Sequence, residues 1–114
     1  MPHLKITTNK SIDAGQKHSL LKLASRMVAS ELGKPEQYMM VSVESAVPMQ
    51  FAATDEPCAF LELRGIGVPE SKTGKLSELL CNLMKSQTGI GSDRVYINFA
   101  DIQPHMWGWN GETF

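Results

Sequence analysis

A chain of 114 residues with 42% hydrophobic content supports one real but modest core, since a chain of this size buries well under three quarters of its unfolded surface. Eleven basic against twelve acidic residues give a formal net charge of −1, with no basic block and no cationic amphipathic helix, which argues against nucleic acid and membrane as partners. No signal-peptide pattern and no apolar run long enough to cross a bilayer is present, so a chain made in the cytoplasm is expected.

The chain begins Met1-Pro2-His3-Leu4-Lys5-Ile6-Thr7, an alternating run that predicts a strand over 2–8. Removal of Met1 before the small Pro2 is an expectation about processing. It would turn the ring nitrogen from an amide without basicity into a free secondary amine, a base within a few units of neutrality. Leu20, Leu23, Ala24, Met27 and Val28 then share one helical face and predict a helix over 13–32, stopped by Gly33. Met39, Val41 and Val43 alternate as a second strand, with Tyr38, Met40 and Ser42 on its other face. Residues 45–57, with Pro48, Asp55 and Pro57, read as a loop.

Shifted by 56 residues, the pattern recurs. An apolar stretch over 58–65 precedes a helix over 70–88, whose Leu76, Leu79, Leu80, Leu83 and Met84 fall on the first helix's apolar set, with Gly89 on Gly33. Val95, Ile97 and Phe99 form the last strand, leaving Tyr96 and Asn98 on its opposite face. The expected fold is therefore α+β in a single domain over 1–114, with βαβ units over about 2–47 and 58–102. Parallel pairing inside each unit gives a four-stranded mixed sheet with both helices on one face. Its other face is half-apolar and open, which argues for association with further copies.

Some segments lie outside this repeat. Gly65-Ile66-Gly67-Val68-Pro69 lacks the third glycine of a dinucleotide fingerprint and reads as a tight turn that brings backbone amides close to a neighbour. The tail places Met106, Trp107, Trp109 and Phe114 among polar residues, as a core patch, a subunit contact or a pocket wall. Cys58 and Cys81 show no CxxC or zinc spacing and read as buried free thiols; His3, His18 and His105 show no ligand spacing and read as surface residues.

Pro2, Gly33-Lys34-Pro35-Glu36-Gln37-Tyr38, Glu56-Pro57-Cys58-Ala59, Ile66-Gly67, Ser92-Asp93-Arg94-Val95-Tyr96-Ile97-Asn98, Gly108-Trp109-Asn110 and Thr113-Phe114 are ordered blocks that resemble the macrophage migration inhibitory factor family of the tautomerase superfamily over essentially the whole chain. The resemblance implies a homotrimer with sheets around a central channel and active sites at subunit boundaries. It implies Pro2 as catalytic base, Lys34 as pocket cation, and the Ile66 amide facing substrate. Tyr96 and Asn98 would reach in from the neighbouring subunit, and Tyr38, Trp107 and Phe114 would form walls. Keto–enol tautomerisation of phenylpyruvate-like or dopachrome-like substrates needs such a base and a positive environment for the enolate, and no cofactor. Burial by Ile66, Trp107 and Phe114, and the charge of Lys34, would each lower the Pro2 pKa toward neutrality.

Plainer readings stand beside these. Pro2 can be the first residue of a strand, Lys34 a helix-end cation, and Tyr96 and Asn98 interface residues. The alternative function is a cytokine-like or receptor-binding protein with vestigial catalysis, since vertebrate members of the family are secreted without a signal peptide and bind receptors. A third reading is an inert trimer that kept the fold. Two departures weigh on the signalling reading. Leu61 stands where one member has the second cysteine of a CxxC motif, and Asp13 and Ala46 stand where the family's receptor-contact arginine and aspartate fall.

Overall fold

Period-two alternation along the first strand, β1 (Pro2–Thr8), puts Leu4, Ile6 and Thr8 fully inside and leaves His3, Lys5 and Thr7 on the opposite face. This follows from a computed structural model that describes all residues, 1–114. The first helix, α1 (Ala14–Leu32), is started by a reciprocal capping box, in which Asp13 accepts from the Gln16 amide at 2.8 Å and Gln16 accepts from the Asp13 amide at 3.3 Å. It ends at Gly33, whose φ of 65° is the left-handed conformation that glycine adopts without a Cβ penalty. A 3₁₀ turn over Glu36–Tyr38 then leads into β2 (Met40–Glu44). Tyr38 therefore lies in this turn ahead of the strand, not within it as the alternation suggested.

The second half follows the same plan. β3 (Ala59–Gly65) buries Ala59, Leu61 and Leu63 and exposes Phe60 and Arg64, while α2 (Thr73–Thr88) ends at Gly89 with φ 77°. The start of α2 departs from the expected helix over 70–88: residues Glu70–Lys72 form a 3₁₀ turn, and Lys72 offers no side-chain cap. The last long strand is β4 (Val95–Asp101).

The strands order as β2-β1-β3-β4 in one sheet, with β1 parallel to β2, β3 parallel to β4, and the central pair β1 and β3 antiparallel. Both helices contribute to the single core cluster of 15 buried residues beneath one sheet face. Leu20, Ala24, Val28, Leu76, Leu80, Leu83 and Met84 supply most of the helical part, as their spacing predicts, joined by Leu32 at the end of α1. Leu23, at 39% exposed, and the half-buried Leu79 stay outside the cluster, and Met27 packs against it only partly buried. Cys58 is buried, but Cys81 is only half-buried, enough for burial to push its thiol pKa up.

The tail folds back as a small hairpin, β5 (Gly108–Trp109) and β6 (Glu112–Thr113). Its two-residue turn needs positive φ at both positions, which Asn110 (53°) and Gly111 (82°) supply. No helix is long and apolar enough to cross a membrane.

Candidate active site

Pro2 is buried at the start of β1, paired in register with Gly65 at the end of β3. The approach is so close that a Cβ on Gly65 would lie 3.0 Å from the Met1 carbonyl oxygen and 3.1 Å from the Pro2 Cα. Glycine at position 65 is what lets the beginning of the chain lie against the end of β3.

From there the chain turns through Ile66 and Gly67, the latter at φ 74°, and Asp101 fixes the turn from β4 by accepting from the Gly67 amide at 2.9 Å and the Val68 amide at 3.2 Å. Asp101 thus orders the loop that carries Ile66, a role with no signature in the sequence because it depends on the β3–β4 register that sets Gly65 against Asp101. Lys34 comes in from the end of α1, and its Nζ lies 3.2 Å from where a Gly67 Cβ would stand. Gly33 permits this by turning the chain in the left-handed region one residue earlier.

Beside Pro2 is a cavity of about 420 Å³ lined by Met1, Pro2, the Gln37–Met40 segment, Trp107, Gly108 and Trp109. Tyr38 and Trp107, which the resemblance implies as walls, line this cavity, and Trp109 of the same aromatic tail lines it with them. Phe114 lies behind this wall: its ring stacks on Trp109 at 6.1 Å between centroids, and its amide donates to the Trp107 carbonyl at 3.2 Å. Tyr38 meets Trp109 edge-on at 6.1 Å.

The charge environment at this end is unusual for an α-amino group. With Met1 in place, burial and then the nearby Lys34 ammonium hold the terminal amine below its ordinary pKa.

Tyr96 and Asn98 are not brought to Pro2 within one chain. The row containing Pro2 runs through Gly65 to Asp101 on β4, five positions beyond Tyr96. That offset is about 16 Å along the strand, with about 10 Å more across two strand spacings. Tyr96 instead packs on Phe51 at 4.5 Å between ring centroids, and both tyrosine and asparagine are exposed on the open sheet face.

Of the histidines, His18 and His105 are exposed as expected, whereas His3 is half-buried on the open face with Nε2 3.1 Å from Ser42 Oγ. Nowhere do three or more His, Cys, Asp or Glu side chains gather with the geometry of a metal site. Leu61, at the would-be second CxxC position, is fully buried core.

With this geometry in view, comparison with known proteins is direct. The family described as macrophage migration inhibitory factor (MIF) matches residues 1–114. Macrophage migration inhibitory factor of Xenopus tropicalis is 36% identical over 117 residues, covering 100% of this chain and 99% of that protein. Among solved structures, a macrophage migration inhibitory factor homologue from Prochlorococcus marinus superposes with a TM-score of 0.94 at 40% identity, covering 98% of each chain. The Toxoplasma gondii macrophage migration inhibitory factor gives a TM-score of 0.93 at 30% identity, over 98% of this chain and 99% of that one. A match along the entire chain, in sequence and in fold together, makes this protein a member of the macrophage migration inhibitory factor family.

Proposed function

We propose that this protein is a keto–enol tautomerase that acts with Pro2, freed by removal of Met1, as its general base on phenylpyruvate-like or dopachrome-like substrates. The observation that carries the reading is the convergence at one end of β1. A buried Pro2 borders an aromatic cavity, and Lys34 lies close enough to depress the pKa of the terminal amine.

In the proposed reaction the secondary amine of Pro2 removes a proton from the carbon beside the substrate carbonyl, and the electron pair moves onto the carbonyl oxygen as an enolate. The proton then returns from the prolinium, to oxygen for the enol product or, in the reverse direction, to carbon. Both causes that lower the amine pKa favour the unprotonated form the first step needs. Lys34 supplies positive charge to a carboxylate or enolate oxygen, and the Ile66 amide is a further donor. Tyr38, Trp107 and Trp109 exclude water around the ring, with Phe114 stacked on Trp109 to hold that wall.

The site is completed in a homotrimer. Tyr96, 64% exposed, and Phe60 leave apolar surface on the open sheet face, which favours its burial against other copies. Tyr96 and Asn98, too far to serve their own Pro2, serve a neighbour's.

Intact mass combined with phenylpyruvate enol–keto conversion tests the proposal on the Met-free chain and on Pro2→Gly. Activity in the former that falls by orders of magnitude in the latter is expected. Full activity in material shown by mass to retain Met1 would overturn the assignment of the base. An inactive, verified Met-free trimer would favour a binding or signalling role on a retained scaffold.

A further inference from the structure

Past the Pro2 cavity lies a second hollow of about 540 Å³, lined by His3, Met40, Arg64, Ile102, Met106, Trp107 and Gly108. The two share Met40, Trp107 and Gly108, so a common apolar wall runs from Pro2 to Arg64. Lys34 is the cation on the Pro2 side of this wall, and Arg64 is the cation on the other.

The register explains why Arg64 faces the hollow with its charge available. Across the open face, Met40, His3 and Arg64 form one row of paired residues, and Lys5 and Glu62 form the next. Glu62, the acidic member of this cluster, therefore has Lys5 directly opposite, while Arg64 has His3. His3, Lys5 and Arg64 against Glu62 leave the cluster with surplus positive charge. The local field agrees: burial first, then Arg64 and Lys5, hold His3 below its ordinary pKa, with Glu62 opposing them. Arg94, by contrast, is occupied structurally, donating to the carbonyls of Phe51, Glu56 and Pro57 and lying over the Phe51 ring.

We propose that the preferred substrate of this site is a keto acid with a second carboxylate at its far end, received by the planar fork of Arg64 while the reacting keto acid lies toward Pro2 and Lys34. The proposal rests on the tautomerase reading of the Pro2 cavity and deepens it. Arg64 matches a carboxylate in a bidentate fashion that a lysine does not. The apolar wall of Met40 and Trp107 between the two cations suits a ring or short hydrocarbon spacer. A mono-anionic aryl keto acid would leave the Arg64 guanidinium without an anionic partner.

The test uses the full Met-free chain and two pairs of probes. Terephthalate and benzoate are unreactive and report binding by titration calorimetry. 4-Carboxyphenylpyruvate and phenylpyruvate report turnover. Terephthalate is expected to bind about tenfold or more tightly than benzoate, the scale of one added charge-assisted contact. That ratio should collapse in Arg64→Gln and persist in Lys22→Gln, a lysine of α1 outside both this hollow and the Lys5–Glu62 cluster. The kcat/KM ratio of the two keto acids should follow, chiefly through KM. Equal binding of the two unreactive acids, or a preference that survives in Arg64→Gln, overturns the proposal. Turnover of phenylpyruvate with no advantage for the dianion overturns it too and leaves the tautomerase reading standing. Absence of turnover with both keto acids removes the catalytic reading instead, and the calorimetric ratio then decides the dianion site alone.

Discussion

The two ends of the sheet are built alike and equipped differently. With the 56-residue shift, Pro2 corresponds to Cys58 and Met40 to Tyr96, and each pair helps line a cavity, one beside Trp107 and Trp109, the other beside Phe51 and Phe60. At the Cys58 end the position of Lys34 is held by Ile90, only 1% exposed, and the position of Tyr38 by Arg94. The chain there is continuous, so its backbone nitrogen is an amide. One βαβ plan thus yields a cavity twice, and only the one at Pro2 has a lysine beside it. In the proposed reaction, chemistry depends on a freed Pro2 and one lysine more than on the fold.

The sharpest way to break this comparison is to make the Pro2 end resemble the other. Pro2→Gly, or retention of Met1, is expected to lower tautomerase turnover by about 10²–10⁴-fold, the usual worth of a positioned base. Steady-state rates on mass-verified protein check this. Grafting the second unit's residue with Lys34→Ile should lower kcat/KM by about 10²-fold, the scale of losing one electrostatic stabiliser in a site. The sign of its pH effect follows from the causes of the depressed amine pKa. Lys34 is the smaller of the two causes that lower the Met1 amine, after burial; acting likewise on the freed Pro2 amine of the proposed mechanism, its removal raises that pKa and moves the acid limb of the rate profile to higher pH. An acid limb that stays in place would mean that Lys34 acts on the substrate alone.

A smaller expected effect tests the junction that holds the terminus in position. Gly65→Ala places a methyl group 3.0 Å from the Met1 carbonyl oxygen and 3.1 Å from the Pro2 Cα, against backbone that has little freedom to move. It should cost about 1–3 kcal/mol, read by chemical denaturation, with a larger fractional loss of turnover because Pro2 itself is displaced.

Much of this architecture was legible because it rests on periodicity. The apolar spacing of Leu20 to Val28 and Leu76 to Met84 located both helices, Gly33 and Gly89 located their ends, and strand parity separated Val95 and Ile97 from Tyr96 and Asn98. What escaped depends on register and on chain reversal. Asp101 reaches the Gly67 amide only because β3 and β4 pair as they do, and the three readings of the aromatic tail stayed open because Trp109 lines the cavity by way of a two-residue turn that folds β6 back on β5. Tyr38 left its expected strand because Pro35 opens a 3₁₀ turn in front of β2.

The smallest expected effect concerns how the two halves start their helices. In α1 the Asp13 carboxylate satisfies the Gln16 amide, and Gln16 returns a bond to the Asp13 amide, whereas α2 grows out of a 3₁₀ turn with no side chain at its cap. Asp13→Ala should therefore cost about 1 kcal/mol, the usual worth of an N-cap, with no comparable liability at Lys72. Lys72 instead donates from Nζ to the Glu31 carbonyl near the end of α1, so Lys72→Ala acts by uncapping the first helix rather than the second. If both substitutions act on α1, native-state hydrogen exchange should show faster opening of its two ends while α2 keeps its protection. Faster exchange in α2 upon Lys72→Ala would instead show that the second helix relies on that residue, and would remove the asymmetry between the halves at this point.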